Sequence, residues 1–283
     1  MSADVAVTVW VLLVDVSVSL AVLVGVVVVS DVLRRFLARA LADTGLCGYA
    51  AELVSTLQLC CCTLELKLLS AAGRLSPGPA LLLTYLGSVV HGLTFRGAAG
   101  NPSGVLEHAY RRRLTPAAAL RRIACQFAAA AAARFVLVPA LWGLGVSSLH
   151  AQTRRLGFPC GSPVRGSVCA AAAVEAACAF AVQTVSTHTQ GVEEKYRVHA
   201  VAAVIATVVY AGGQMTGAVF NPALAFSTQF PCSGTSFLEN CFIYWLGPLL
   251  GMMSSVLLFD KLVALLSGQP LPLHLPLESK KKI

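Results

Sequence analysis

The residues best placed to do chemistry are two asparagines, each followed by proline and preceded by the same kind of lead. Gly97-Ala98-Ala99-Gly100-Asn101-Pro102 matches Gly217-Ala218-Val219-Phe220-Asn221-Pro222, so a G-A-x-x-N-P pattern recurs after 120 residues. Asparagine is a strong helix N-cap, and proline suits the first helical position because its missing N–H would find no partner there. Each pair therefore starts a helix. A helix beginning carries partial positive charge, and an Asn amide donates hydrogen bonds. Two such beginnings aimed at one point would repel protons and other cations while offering donors to a neutral solute. One Asn-Pro alone is an ordinary turn or cap, but two in register ask for a shared purpose.

The helices they start are short. Pro102 to Arg111 is ten residues, as is Pro222 to Pro231; at 1.5 Å per residue each is ~15 Å, half the apolar thickness of a bilayer. Gly97, Gly100, Gly212, Gly213 and Gly217 permit a tight backbone leading inward, which at membrane depth is tolerated only where it lines a cavity. A glutamate marks each half upstream, Glu52 at 49 residues before Asn101 and Glu175 at 46 before Asn221. Both are placed to accept the N–H groups of the re-entrant loops; a proton relay is the sharper alternative.

Around these pieces run seven apolar stretches, roughly 5–33, 50–70, 79–95, 117–145, 167–187, 196–213 and 238–259. Each is long enough to cross, or nearly cross, a hydrocarbon core of ~30 Å. Apart from the first, they divide into two units of helix, helix, Asn-Pro half-helix, helix. Each unit has three full spans, an odd number, so the second copy inserts upside down and the shared site falls near mid-membrane. The expected architecture is an all-α membrane protein. It has an inverted repeat of six transmembrane helices, two re-entrant half-helices and an extra N-terminal hydrophobic helix. We divide the chain into that helix with a basic linker (1–47), a core (48–260, half-repeats about 48–145 and 165–260) and a cytosolic tail (261–283).

Charge and composition agree. Hydrophobic residues make up 57% and charged ones 12%, against ~25% charged in soluble domains. The +8 net charge forms no basic stripe with interleaved aromatics, so nucleic acid is not the partner; membrane lipid is. With the loop at 34–49 placed inside, 15 of the 21 Lys and Arg fall inside, five outside, and Arg134 within a span, as the positive-inside rule asks. The first stretch lacks a basic n-region and is too long for a cleaved signal peptide. Asp15 within it either faces protein, where a partner is plausible, or is a helix-end or interfacial carboxylate, the blander account. No nucleophile, metal or cofactor motif stands out, so we expect neither an enzyme nor a cofactor.

At these residues the chain resembles the aquaporin family, whose signature is two Asn-Pro-Ala boxes in inverted halves, over roughly residues 48 to 260. Asn221-Pro222-Ala223 matches in full; Asn101-Pro102-Ser103 departs by one residue. Glu52 and Glu175 correspond to the family's buried glutamates, and Gln126 to a glutamine of its third helix. The runs Leu57–Leu66, His91–Thr94 and Tyr210–Phe220 are similar to the superaquaporin branch. That branch commonly has Cys where Ser103 stands, and a cysteine at the position of Cys232. The resemblance implies an intracellular channel, mainly of the endoplasmic reticulum, for water, glycerol and hydrogen peroxide, assembled as a homotetramer with one pore per subunit. It also implies a selectivity filter at Val209, Ala218 and Leu224. Leu224 stands where ordinary water channels have arginine, and Val209 where many have histidine. Losing both polar groups implies a wider, more apolar opening, slower for water because desolvation is less compensated.

Other features carry plainer readings. Cys60, Cys61 and Cys62 splay about 100° apart on a helix and cannot share one zinc, so they are packing residues. Cys160 and Cys232 both fall on the non-cytoplasmic side, where oxidising conditions favour pairing. They are candidates for a bridge or for structural thiols. Arg134 is either a pore group or a side chain that snorkels or pairs with a buried carboxylate. Lys280 and Lys281 resemble a cytosolic dilysine retrieval signal, or form a basic tail on anionic lipid. Two rivals remain, an ion-coupled inverted-repeat transporter and a non-conducting membrane scaffold.

Overall fold

The computed structural model describes residues 3–266. Helix α1 (Ala3–Ala40) precedes two half-repeats. The first holds α2 (Cys47–Ala71), α3 (Pro77–Thr94), the half-helix α4 (Pro102–Tyr110) and α5 (Pro116–Ala132). α5 continues through a π-turn at Ala133–Leu137 into α6 (Val138–Gly143). A short α7 (Ser148–Arg155) leads to the second half: α8 (Val168–His188), α9 (Glu194–Thr216) and the half-helix α10 (Pro222–Gln229). Its last span is α11 (Phe237–Cys241), a π-turn at Phe242–Leu246 and α12 (Gly247–Leu257). A further π-turn and α13 (Ala264–Leu266) close the described chain. The described residues contain no strand, only an isolated bridge between Gly161 and Ser233. The tail lysines Lys280, Lys281 and Lys282 lie outside the described residues.

Local chemistry sets the helix starts. Thr115, Ser147 and Ser167 each accept a backbone N–H at the beginning of α5, α7 and α8, and Ser236 with Glu239 forms a capping box for α11. Proline occupies the first turn of α3, α4, α5 and α10. Among the described residues, six helices are long and apolar enough to cross a membrane. The third expected stretch is not among them. It forms α3, 18 residues opening on Pro77-Gly78-Pro79 and diluted by Thr84, Tyr85, Ser88 and His91.

Close approach holds the second half together. A Cβ at Gly247 would lie 2.8 Å from the Ala172 carbonyl oxygen, and one at Gly251 nearer still to that of Ala176. This small-residue spacing of four lets α12 lie directly on α8. Gly92 does the same for α3 against Val198 of α9, where a Cβ would meet a valine methyl at 2.9 Å.

Helix α1 is apolar outside and polar inside. Trp10, Val24, Val29, Val32 and Phe36 are exposed, whereas Asp15, Ser19, Ser30 and Arg34 are buried in one stripe. A helix packed this way faces lipid with its apolar side and reserves its polar side for protein. Asp15 is therefore the protein-facing carboxylate of the two readings, not the interfacial one. It is fully buried, paired with Arg74 at 3.2 Å, and accepts from the Ser148 hydroxyl at 2.9 Å and the Leu149 N–H at 3.1 Å. One turn on, the Ser19 hydroxyl donates to Glu65 of α2 at 2.5 Å; Glu65 also accepts the Trp142 indole N–H at 2.7 Å and holds His150 at 2.9 Å. Arg34, expected in a loop, is instead a buried helical residue donating to Gln58 at 2.7 Å, because α1 runs on to Ala40.

Replacing Glu65 with Leu leaves Ser19, Trp142 and His150 without their shared acceptor, at about 1–3 kcal/mol for each orphaned group. We expect a lower unfolding temperature in detergent and faster protease cleavage in the 41–46 segment as α1 comes loose. Wild-type values in both measurements would show that α1 docks without this cluster.

Candidate functional site

The two half-helices meet at their beginnings. The Asn101 side-chain oxygen accepts the Ser103 N–H at 2.9 Å, and that of Asn221 accepts those of Ala223 and Leu224 at 3.1 and 3.2 Å. Each asparagine thus caps its own helix, as Asn-Pro predicts. Their amide nitrogens cross over. Asn101 Nδ2 donates to the Phe220 carbonyl at 3.3 Å, and Asn221 Nδ2 to the Gly100 carbonyl at 2.8 Å. Phe220 and Gly100 are the residues just before the opposite asparagine, so the halves are tied reciprocally. A primary amide has two N–H groups, which leaves one on each asparagine for a solute.

The approach segments need unusual backbone. Gly100 at φ +59° and Gly217 at φ +86° lie in the left-handed region, joined there by Ala218 at +46° and Phe220 at +40°. Residues with a Cβ resist that conformation, so something must hold them. The glutamates do. Glu52 accepts the N–H groups of Ala99 at 3.0 Å and Gly100 at 3.1 Å, together with the Gln126 amide at 2.9 Å and Arg122 at 3.3 Å. Glu175 accepts those of Val219 at 3.0 Å and Phe220 at 2.5 Å, and the Thr216 hydroxyl at 2.5 Å. Both carboxylates are fully buried and serve equivalent positions of the two halves.

The outer ends of the half-helices are held as well. Lys67 on α2 donates to the Thr228 carbonyl at 2.6 Å and to Gln229 at 3.0 Å, placing a cation on the negative end of α10. Arg111, which ends α4, is 2.6 Å from both Glu107 and Asp260 of the last span. Cys160 and Cys232 form a disulfide with Cα atoms 4.8 Å apart, and the adjoining Ser162 N–H donates to the Ser233 carbonyl at 2.8 Å. The segments before α8 and after α10 are therefore pinned to each other.

A small cavity reaches Asn101, lined also by Ser103, Ala179, Val182, Gln183, Phe220 and Met252. Pro102, Pro222 and Ala223 are buried in the first turns of their helices. Of the residues expected at the filter, Val209 and Ala218 pack in one apolar cluster with Cys178 and Val208, while Leu224 belongs to the neighbouring clusters around Cys60 and Ile243. Cys60, Cys61 and Cys62 are buried, the first two in an apolar cluster with Leu64, Ala130 and Trp142, and the described residues contain no metal-binding cluster. Arg134 sits in the π-turn of the third span and pairs with no carboxylate among the described residues. Gln183 carries no signal in the sequence, because it opens a run of polar residues, Thr184, Ser186 and Thr187, at the end of its helix and no spacing sets it apart. Lys67 likewise carries no sequence signal of its role at the outer end of α10.

Removing the Glu175 carboxylate by Glu175→Ala orphans the Val219 and Phe220 N–H groups at about 1–3 kcal/mol each. The expected result is a lowered melting temperature in detergent, with Glu175→Gln, which keeps one acceptor oxygen, falling between the two. A Glu175→Ala protein that melts with the wild type would remove the strut role.

The family model for the major intrinsic proteins matches residues 80–259. The chain is 38% identical to Aquaporin-11 of Homo sapiens over 246 residues, 87% of this chain and 90% of that protein. It is 40% identical to Aquaporin-11 of Equus caballus, over 75% of this chain and 77% of that one. To Aquaporin-12 of Mus musculus it is 35% identical, over 86% and 84%. With two capped half-helices crossing at their asparagines and this likeness along most of its length, the chain belongs to the aquaporin family, in the superaquaporin branch.

Proposed function

We propose that this family member is a passive channel for water, glycerol and hydrogen peroxide, with its passage running between Asn101 and Asn221. The observation that carries the reading is the reciprocal amide-to-carbonyl crossing. It fixes two positive helix ends at one point and leaves an N–H on each asparagine free for a solute. Opposed helix beginnings disfavour a cation there, while neutral oxygen-bearing solutes gain donors. Val209, Ala218 and Leu224 form an apolar filter on this reading. Without a fixed cation at Leu224, water loses more hydration than it regains, and bulkier neutral solutes are less excluded. Assembly as a homotetramer and residence in the endoplasmic reticulum membrane complete the proposal and rest on the family likeness alone.

Stopped-flow measurements on liposomes holding the purified protein test this. We expect water, glycerol and peroxide flux above empty liposomes, with a low activation energy and no dependence on an ion gradient. Saturation with ion coupling would favour a transporter, and flux equal to empty liposomes a scaffold. Leu224→Arg should lower the glycerol-to-water flux ratio about tenfold, as a ~1.4 kcal/mol penalty would. Fast water flux with full exclusion of both solutes in the unsubstituted protein would refute the apolar filter.

A further inference from the structure

The cavity at Asn101 holds two polar groups that capping and loop support do not use. Ser103 is buried, and its hydroxyl bonds to nothing among the described residues. Its backbone N–H serves the Asn101 cap, so the hydroxyl is not needed to start the helix. Gln183 of α8 lines the same cavity. Its orientation follows from a chain of hydrogen bonds leading away from the passage. Gln183 Nε2 donates to the Thr187 hydroxyl at 3.0 Å, and that hydroxyl donates to Glu107 at 3.5 Å. Glu107 is itself held by Arg111 at 2.6 Å, and Arg111 by Asp260. An ionised carboxylate only accepts, so Thr187 spends its proton on Glu107 and must receive one from Gln183. The Gln183 amide is thereby turned with its nitrogen toward Thr187, which leaves its carbonyl oxygen as the acceptor for the cavity.

We propose that Ser103 and Gln183 form a solute subsite beside the asparagine pair, selective for small neutral molecules bearing two neighbouring hydroxyl oxygens. The inference rests on the channel reading above. The asparagines present only donors to a solute. Ser103 adds a group that both donates and accepts, and Gln183 adds an acceptor. A solute with one oxygen meets these partners one at a time. A vicinal diol or a peroxide, with two adjacent O–H groups, can place one oxygen on the asparagine donors while the other donates to Gln183 or Ser103. Ser103 and Gln183 are thus specificity-determining residues, with Thr187 as the positioning residue for the amide.

The test uses the full chain in liposomes, with glycerol and hydrogen peroxide as separate probes and water as the reference. Ser103→Ala and Gln183→Leu should each lower the glycerol-to-water and peroxide-to-water ratios about fivefold, the loss of one hydrogen bond. Ser103→Thr keeps the hydroxyl and should keep the ratio. Thr187→Val releases the amide without removing it and should lower the ratio less than Gln183→Leu. A fall for glycerol alone would narrow the subsite to diols, and a fall for peroxide alone to peroxides. If the unsubstituted protein conducts and neither Ser103→Ala nor Gln183→Leu moves either ratio, the subsite is refuted and the channel stands. If Gln183→Leu fails to fold, Ser103→Ala and Thr187→Val decide by the same ratios. If the unsubstituted protein conducts nothing, the channel reading fails first and the subsite with it.

Discussion

Two amide groups reach across the molecular midline, each to the carbonyl just ahead of the other's helix. Asn101 can reach Phe220, and Asn221 can reach Gly100, only when both re-entrant segments arrive at one depth and in opposite senses. That requirement propagates outward. It demands left-handed backbone at Gly100, Gly217, Ala218 and Phe220, which in turn demands acceptors for N–H groups that no helix satisfies. Glu52 and Glu175 supply them from the first helix of each half. Those helices must then stand close to the loops, which the glycine contacts of α12 on α8 and the Gln126 contact to Glu52 from α5 help to enforce.

The inverted repeat doubles these solutions without copying their details. Glu52 is braced by Gln126 and Arg122, Glu175 by Thr216. α4 ends on Arg111 held by two carboxylates, whereas α10 ends under Lys67 reaching over from α2. The constraint common to both halves is electrostatic: a positive helix start at the centre and a compensated negative end near the surface. Different side chains meet it, so local sequence drifts while the geometry stays.

Much of this was legible because the informative residues have few other uses. Asn-Pro at the head of a ten-residue apolar piece, repeated after 120 residues, has a narrow set of physical meanings. The half-helices came out slightly shorter than read, nine and eight residues, since Arg111 and Phe230 leave helical geometry to become caps. The role of Asp15 was hidden because its partners Arg74 and Ser148 lie far along the chain. In an almost uniformly apolar helix, periodicity also carries no signal about which face is buried. Arg34 reads as loop charge because apolar character fades before the helix does. Gln183 is silent for a different reason: one amide beside Thr184, Ser186 and Thr187 becomes informative only when Thr187 and Glu107 orient it.

The polar stripe of α1 bears on how the protein is made. α1 is synthesised ahead of α2, α6 and α7, so Asp15, Ser19 and Arg34 enter the bilayer before Glu65, Arg74, Ser148 and Gln58 exist to receive them. A charged side chain facing hydrocarbon is costly. The helix therefore cannot settle until α2 and then α7 arrive, and that same cost selects the one rotation and depth at which every group finds its mate. Assembly of the N-terminal third is on this view a late-locking event, driven less by greasy contact, which lipid supplies equally well, than by the relief of stranded charge.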